Sequence, residues 1–106
     1  MYQLRVYTLK DTAALEAFRT VQYPRHFASF AAFGMSIQGV WTSPADETRT
    51  KLYALIHYPD GQDPDRLLSE YLDSPGFRAD MVGFDQHDIV GIETTFLEPS
   101  DASPLR

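Results

Sequence analysis

The chain has 106 residues, 43% hydrophobic and 23% charged, a balance that fits one globular domain with a single core and excludes a disordered chain. Its formal net charge of -6, with no basic stripe, excludes a general nucleic-acid role. Without cysteine it has no disulfides, thiolate metal sites or thiol nucleophiles, and no apolar run approaches the roughly 20 residues that span a bilayer.

The first predicted element is a strand from Tyr2 to Leu9 with period-two alternation. One face reads Tyr2, Leu4, Val6; the other reads Gln3, Arg5, Tyr7, Leu9. Neither is a plain solvated face. No basic segment followed by an apolar one precedes this strand, so no signal peptide is expected and the expected compartment is the cytoplasm. Lys10-Asp11-Thr12 is a turn whose Asp11 or Thr12 can cap a helix. Helical spacing then runs to Phe30, with Leu15, Phe18, Phe27, Phe30 and Ala31 as the expected buried stripe. Pro24 removes a hydrogen bond and predicts a kink or restart near Tyr23, and Gly34 stands where a helix-terminating glycine belongs.

A second strand is expected over Met35 to Thr42, a polar loop over Ser43 to Arg49, and a third strand over Thr50 to Tyr58. Pro59-Asp60-Gly61 is a turn. Asp63-Pro64 starts a helix whose apolar face is Leu67, Leu68, Tyr71 and Leu72, and Ser74-Pro75 starts a short further helix to about Met81. Asp88 to Leu97 is the fourth strand. Residues 1–98 form the expected domain and 99–106, with Pro99 and Pro104, an exposed tail. The order β-α-β-β-α-α-β predicts an α+β, ferredoxin-like sandwich, a four-stranded antiparallel sheet with helices on one face. The other face is then bare. By parity the small apolar sets suit the helix side. The mixed sets, with Gln3, Arg5, Tyr7, Tyr53, Leu55, His57, Ile89, Glu93, Thr95 and Trp41, suit the bare side. Such a patch is large for a monomer and points to a subunit interface or an enclosed cavity.

Several stretches resemble the NIPSNAP family, a branch of the dimeric α+β barrel superfamily. They are Tyr2 to Leu9, Arg25-His26-Phe27 leading to Phe33-Gly34, Gly39-Val40-Trp41-Thr42-Ser43, Asp73-Ser74-Pro75-Gly76-Phe77, and Ile92 to Pro99. The resemblance covers nearly the whole chain through the order and spacing of these short motifs. In the family the second helix region often carries tryptophan; here Phe77 stands near that position. The resemblance implies a ferredoxin-like fold and a homodimer whose sheets pair into an α+β barrel. It implies no single activity, since superfamily relatives include cofactor-independent monooxygenases, haem-degrading enzymes and isomerases.

The strongest candidate constellation is Arg5, Tyr7, Tyr53, His57 and Glu93, with Trp41 as a wall. His57 is the candidate general base, because an imidazole titrates near neutral pH. Arg5 offers a fork to a carboxylate or enolate oxygen, and Tyr53 a hydroxyl to a developing oxyanion. Arg5, Tyr53 and His57 are thus the catalytic candidates; Tyr7, Trp41, Glu93 and His26 are the ligand-binding ones. The competing interpretation is structural, with Arg5 paired to Glu93 across neighbouring strands. Asp85, His87 and Asp88 have metal-ligand chemistry but sit where a turn needs such residues, so no metal site and no cofactor are expected. The expected function is a homodimeric, cofactor-independent enzyme of oxygenase or isomerase type acting on a small hydrophobic or aromatic molecule. The alternative is a non-catalytic dimeric module that binds a ligand or protein.

Overall fold

The computed structural model covers residues 1–106. The strands are β1 (Tyr2–Leu9), β2 (Ser36–Trp41), β3 (Lys51–His57) and β4 (Ile89–Leu97). The helices are α1 (Thr12–Ala17), α2 (Tyr23–Ala31), α3 (Pro64–Leu72) and α4 (Pro75–Asp80). All strand pairs are antiparallel, in the order β2-β3-β1-β4. This is the expected ferredoxin-like sandwich, with β1 at the centre and β2 and β4 at the edges.

The local signals act as the residue types dictate. Asp11 Oδ1 accepts from Ala14 N at 2.8 Å and starts α1. Asp63 does the same for α3, and Ser74 Oγ accepts from Phe77 N to start α4. Gly34 has φ of 79°, the left-handed geometry that ends α2. Asp85 caps the 3₁₀ turn Gln86–Asp88 through the His87 N–H, so this segment works as a turn.

Between α1 and α2 the chain widens into one π-helical turn, Phe18–Gln22, and α2 restarts at Tyr23 with Pro24 in its first turn. A π-turn inserts a residue into the helical repeat and rotates everything after it. The buried stripe therefore runs Leu15, Phe18, Gln22, Tyr23, His26, Phe30. Phe27, expected in the core, is 47% exposed, and Ala31 is exposed as well. On α3, Leu72 is likewise exposed.

The sheet face beneath the helices carries Leu52, Ala54 and Ile56 from β3, then Tyr58, all buried. It also carries Gln3, Arg5, Tyr7 and Leu9 from β1. This corrects the parity expected for the first strand. Arg5 is paired in register with Ala54 and Thr94, whereas Val6 is paired with Tyr53 and Glu93. Directly paired residues share a face. Gln3, Arg5 and Tyr7 thus lie under the helices, and Leu4 and Val6 lie on the open face. Buried tyrosines supply the hydrogen bonds that make this inversion tolerable. Tyr58 Oη donates to Gln3 Oε1 at 2.8 Å, and Arg5 Nε donates to Tyr7 Oη at 2.9 Å. Ile89 also turns inward against the core.

The helices stop short of β4. Ile92 and Phe96, on its helix-side face, are 48% and 44% exposed. The missing cover leaves a cleft between sheet and helices. Residues 98–106 carry no helix or strand. No helix of the chain is long and apolar enough to cross a membrane.

Candidate functional site

The cleft holds a cavity of about 300 Å³, the lower end of the roughly 300–1,000 Å³ typical of small-molecule sites. Eleven of its fifteen lining residues are hydrophobic, so a bound molecule would meet an apolar wall. The polar groups that reach it are few: Arg5 and Tyr7 from β1, His26 from α2, Tyr71 from α3 and Gln86.

His26 is buried on the inner face of α2, where the π-turn rotates it toward the sheet. Its Nδ1 lies 3.1 Å from Asp80 Oδ2. Asp80 closes α4 and is itself buried. Its carboxylate also accepts from Tyr71 Oη at 2.7 Å and from Ser29 Oγ at 2.9 Å. Tyr71 Oη is in contact with His26 Nδ1 as well. Three elements thus converge on one carboxylate. A proton on Nδ1, donated to Asp80, leaves the Nε2 lone pair free. Nε2 makes no hydrogen bond within the chain, and the one sealed, partnerless side-chain polar atom of the protein is Gln22 Oε1. Nε2 is therefore not sealed, and His26 lines the cavity.

Burial sets the electrostatics. It pulls the His26 pKa below its ordinary value of 6.5, with Asp80 opposing. The imidazole is neutral at pH 7 and available as a base. Burial, reinforced by Asp80, pushes the Tyr71 phenol well above its usual range, and burial raises Tyr23 too. For Arg5, burial acts against the charge, but the Tyr7 hydroxyl and the surrounding tyrosines outweigh it and hold the guanidinium cationic. No group of three or more His, Cys, Asp or Glu is placed to hold a metal ion.

An aromatic and histidine-bearing first helix layer, a carboxylate closing α4 and a sheet of order β2-β3-β1-β4 define the chain's architecture, and the NIPSNAP family profile matches residues 2–104. The chain belongs to the NIPSNAP family. An uncharacterised NIPSNAP domain protein from Burkholderia xenovorans superposes with a TM-score of 0.71 at 16% identity, covering 97% of each chain. A NIPSNAP family protein from Agrobacterium tumefaciens gives 0.75 at 18% identity, covering 99% of this chain and 97% of that one. A second Agrobacterium tumefaciens protein gives 0.75 at 18% identity, covering 99% and 98%. At these identities the likeness is one of fold. No curated protein matches the chain.

In this NIPSNAP chain the candidate residues separate into two groups on opposite sides of the sheet. Arg5, Tyr7 and His26 line the cleft. Tyr53, His57, Trp41 and Glu93 lie on the open face, where Trp41 pairs with Tyr53, and Val6 with both Tyr53 and Glu93. The expected five-residue convergence does not form, because the sheet stands between its halves. The Arg5–Glu93 ion pair fails for the same reason. His57 packs edge-on against Tyr2, ring centres 5.0 Å apart. The Trp41 indole lies over Gly39, where an added Cβ would come within 2.3 Å of the ring. Asp80 and Tyr71, absent from the sequence candidates as site residues, complete the His26 cluster. A signal for Asp80 exists: it lies between Phe77 and Met81, the inward face of a short helix, and an acid there is a buried acid.

Proposed function

We propose that this protein is a homodimeric acid–base enzyme of isomerase type, whose cleft takes a small molecule with an apolar body and moves a proton on it. His26 is the general base. Asp80 holds its tautomer and stabilises the imidazolium that forms on proton uptake. Tyr71 and Ser29 fix Asp80 in turn. The observation that carries the reading is a buried, neutral histidine with Nδ1 on a carboxylate and Nε2 free toward an apolar cavity. This arrangement aims one basic lone pair at a bound molecule. Removing a proton from a carbon beside a carbonyl and returning it elsewhere needs only such a base.

The dimer reading rests on the open face. Leu4, Val6, Leu55 and Tyr53 present a broad, half-buried apolar surface there, and a surface of that kind marks an interface. In this reading Tyr53, His57, Trp41 and Glu93 serve the contact between copies rather than the chemistry.

Deuterium exchange tests the chemistry. The benzylic hydrogens of phenylacetone and phenylpyruvate are acidic because they adjoin a carbonyl. In D2O the protein should speed their exchange, followed by NMR against a protein-free control. His26→Gln should lower that rate on the order of 10²–10⁴-fold. The rate should rise with pH to a midpoint below 6.5 and then level off, as the lowered His26 pKa requires. No exchange above background on either compound, or a midpoint above 6.5, would remove His26 from the role of base.

A further inference from the structure

Proton transfer by His26 leaves Arg5 unexplained. Arg5 is 8% exposed, and buried cations ordinarily pair with carboxylates. Arg5 pairs with none. The arginines that do form ion pairs, Arg19 with Glu16 and Arg66 with Glu70, are surface groups. The neighbours of Arg5 are neutral: Nε donates to Tyr7 Oη at 2.9 Å and Nη1 donates to Gln3 Oε1 at 3.2 Å. Gln3 Oε1 is in turn held by Tyr58 Oη at 2.8 Å. A guanidinium has five N–H donors. Two are used, which leaves three, both of those on Nη2 among them, with no acceptor in the chain. Nη2 is not sealed, since Gln22 Oε1 alone is both sealed and partnerless, and Arg5 lines the cavity.

The fork is therefore braced on one side and open on the other. Tyr7 and Gln3 fix its orientation before any ligand arrives, which lowers the ordering cost of binding. Its free edge matches a planar carboxylate with two parallel hydrogen bonds. The cavity also limits the charge it can take. Arg5 is the single Lys or Arg among the fifteen lining residues, and the Asp80 carboxylate lies behind His26. A phosphate dianion would exceed what one cation balances, whereas a monocarboxylate matches it. The hydrophobic walls require the rest of the molecule to be apolar.

We propose that Arg5 is an anion seat, and that the cleft takes small monocarboxylic acids with an apolar body, the carboxylate on the Arg5 fork and the reacting carbon toward His26 Nε2. The placement of the reacting carbon rests on the proton-transfer reading above; the seat itself does not. Titration calorimetry with phenylacetate and phenylpyruvate against the neutral analogues phenylacetamide and phenylacetone tests it. Each carboxylate should bind wild-type protein at least about tenfold tighter than its neutral analogue. Arg5→Gln should erase that preference, and Arg5→Lys should keep only part of it. Equal binding of acid and neutral analogue, a preference that survives Arg5→Gln, or no binding by any of the four would each overturn the proposal.

The wild-type protein offers a readout that does not depend on how the variants fold. The Arg5 Nε–H resonance should shift on saturation with phenylacetate and stay in place with phenylacetamide. A signal unmoved by bound phenylacetate would also overturn the seat. The two proposals fail separately. Carboxylate preference without deuterium exchange would end the proton-transfer reading and leave the seat, and exchange without preference would do the reverse.

Discussion

A histidine and an aspartate buried side by side is a costly arrangement unless every partner is satisfied, and here nearly every partner is. Asp80 accepts from Tyr71 and Ser29 as well as facing His26 Nδ1. The single unspent site is His26 Nε2, on the cavity side. The same burial makes His26 a source of acid sensitivity. Its folded-state pKa lies below the unfolded value of 6.5. The unfolded chain therefore takes up a proton in mild acid that the folded chain refuses, and stability rises with pH wherever the unfolded state binds more protons. The stability contributed by the neutral ring is complete above pH 6.5 and is lost as the pH falls through the lowered folded value. Urea unfolding of the wild type at pH 7.5 and pH 5 should show this loss, and His26→Gln should show a smaller one. An equal loss in both proteins would place the acid sensitivity elsewhere.

At the scale of elements, the π-turn at Phe18–Gln22 decides which aromatic rings are core. Phe18, 1% exposed, packs on Tyr7, Tyr23 and Phe84. Phe27, nine residues on, faces outward. Phe18→Ala should cost about 3–5 kcal/mol of unfolding free energy, the range for emptying a core phenylalanine site. Phe27→Ala should cost about 0.5 kcal/mol or less. Comparable losses for both would place Phe27 in the core beside Phe18 and contradict this phase of the helix. The strands, their order, the caps at Asp11, Asp63 and Ser74 and the restart at Tyr23 were all legible in the sequence, since each rests on alternation or on one residue's local chemistry. The phase of α2 was not, because Pro24 marks a break without telling how many residues the break inserts. The inward face of β1 was not legible for a related reason. Both of its faces carry large side chains, and the choice between them falls to distant residues such as Tyr58, which hydrogen-bonds Gln3 from beyond the end of β3. Arg5, Tyr7 and His26 stand out by residue type, yet alternation alone groups Arg5 and Tyr7 with His57 across a sheet that keeps them apart.

For the whole molecule, one sheet with helices on a single face has two distinct surfaces to employ. The cleft side holds the cavity and the His26–Asp80 cluster; the open side holds an apolar patch, which the proposal gives to a second copy of the chain. Sedimentation equilibrium at micromolar concentration should give a mass twice the 12.0 kDa of one chain. Val6→Glu, which puts a charge at the centre of the open face, should return it to 12.0 kDa. A wild-type monomer would remove the interface from the proposal without touching the cleft. The division of labour between the two faces is tested most directly by comparing two histidines. Deuterium exchange into phenylpyruvate and phenylacetone should collapse in His26→Gln and persist near the wild-type rate in His57→Gln. Loss of exchange in His57→Gln with retention in His26→Gln would contradict it and move the chemistry to the open face of the sheet.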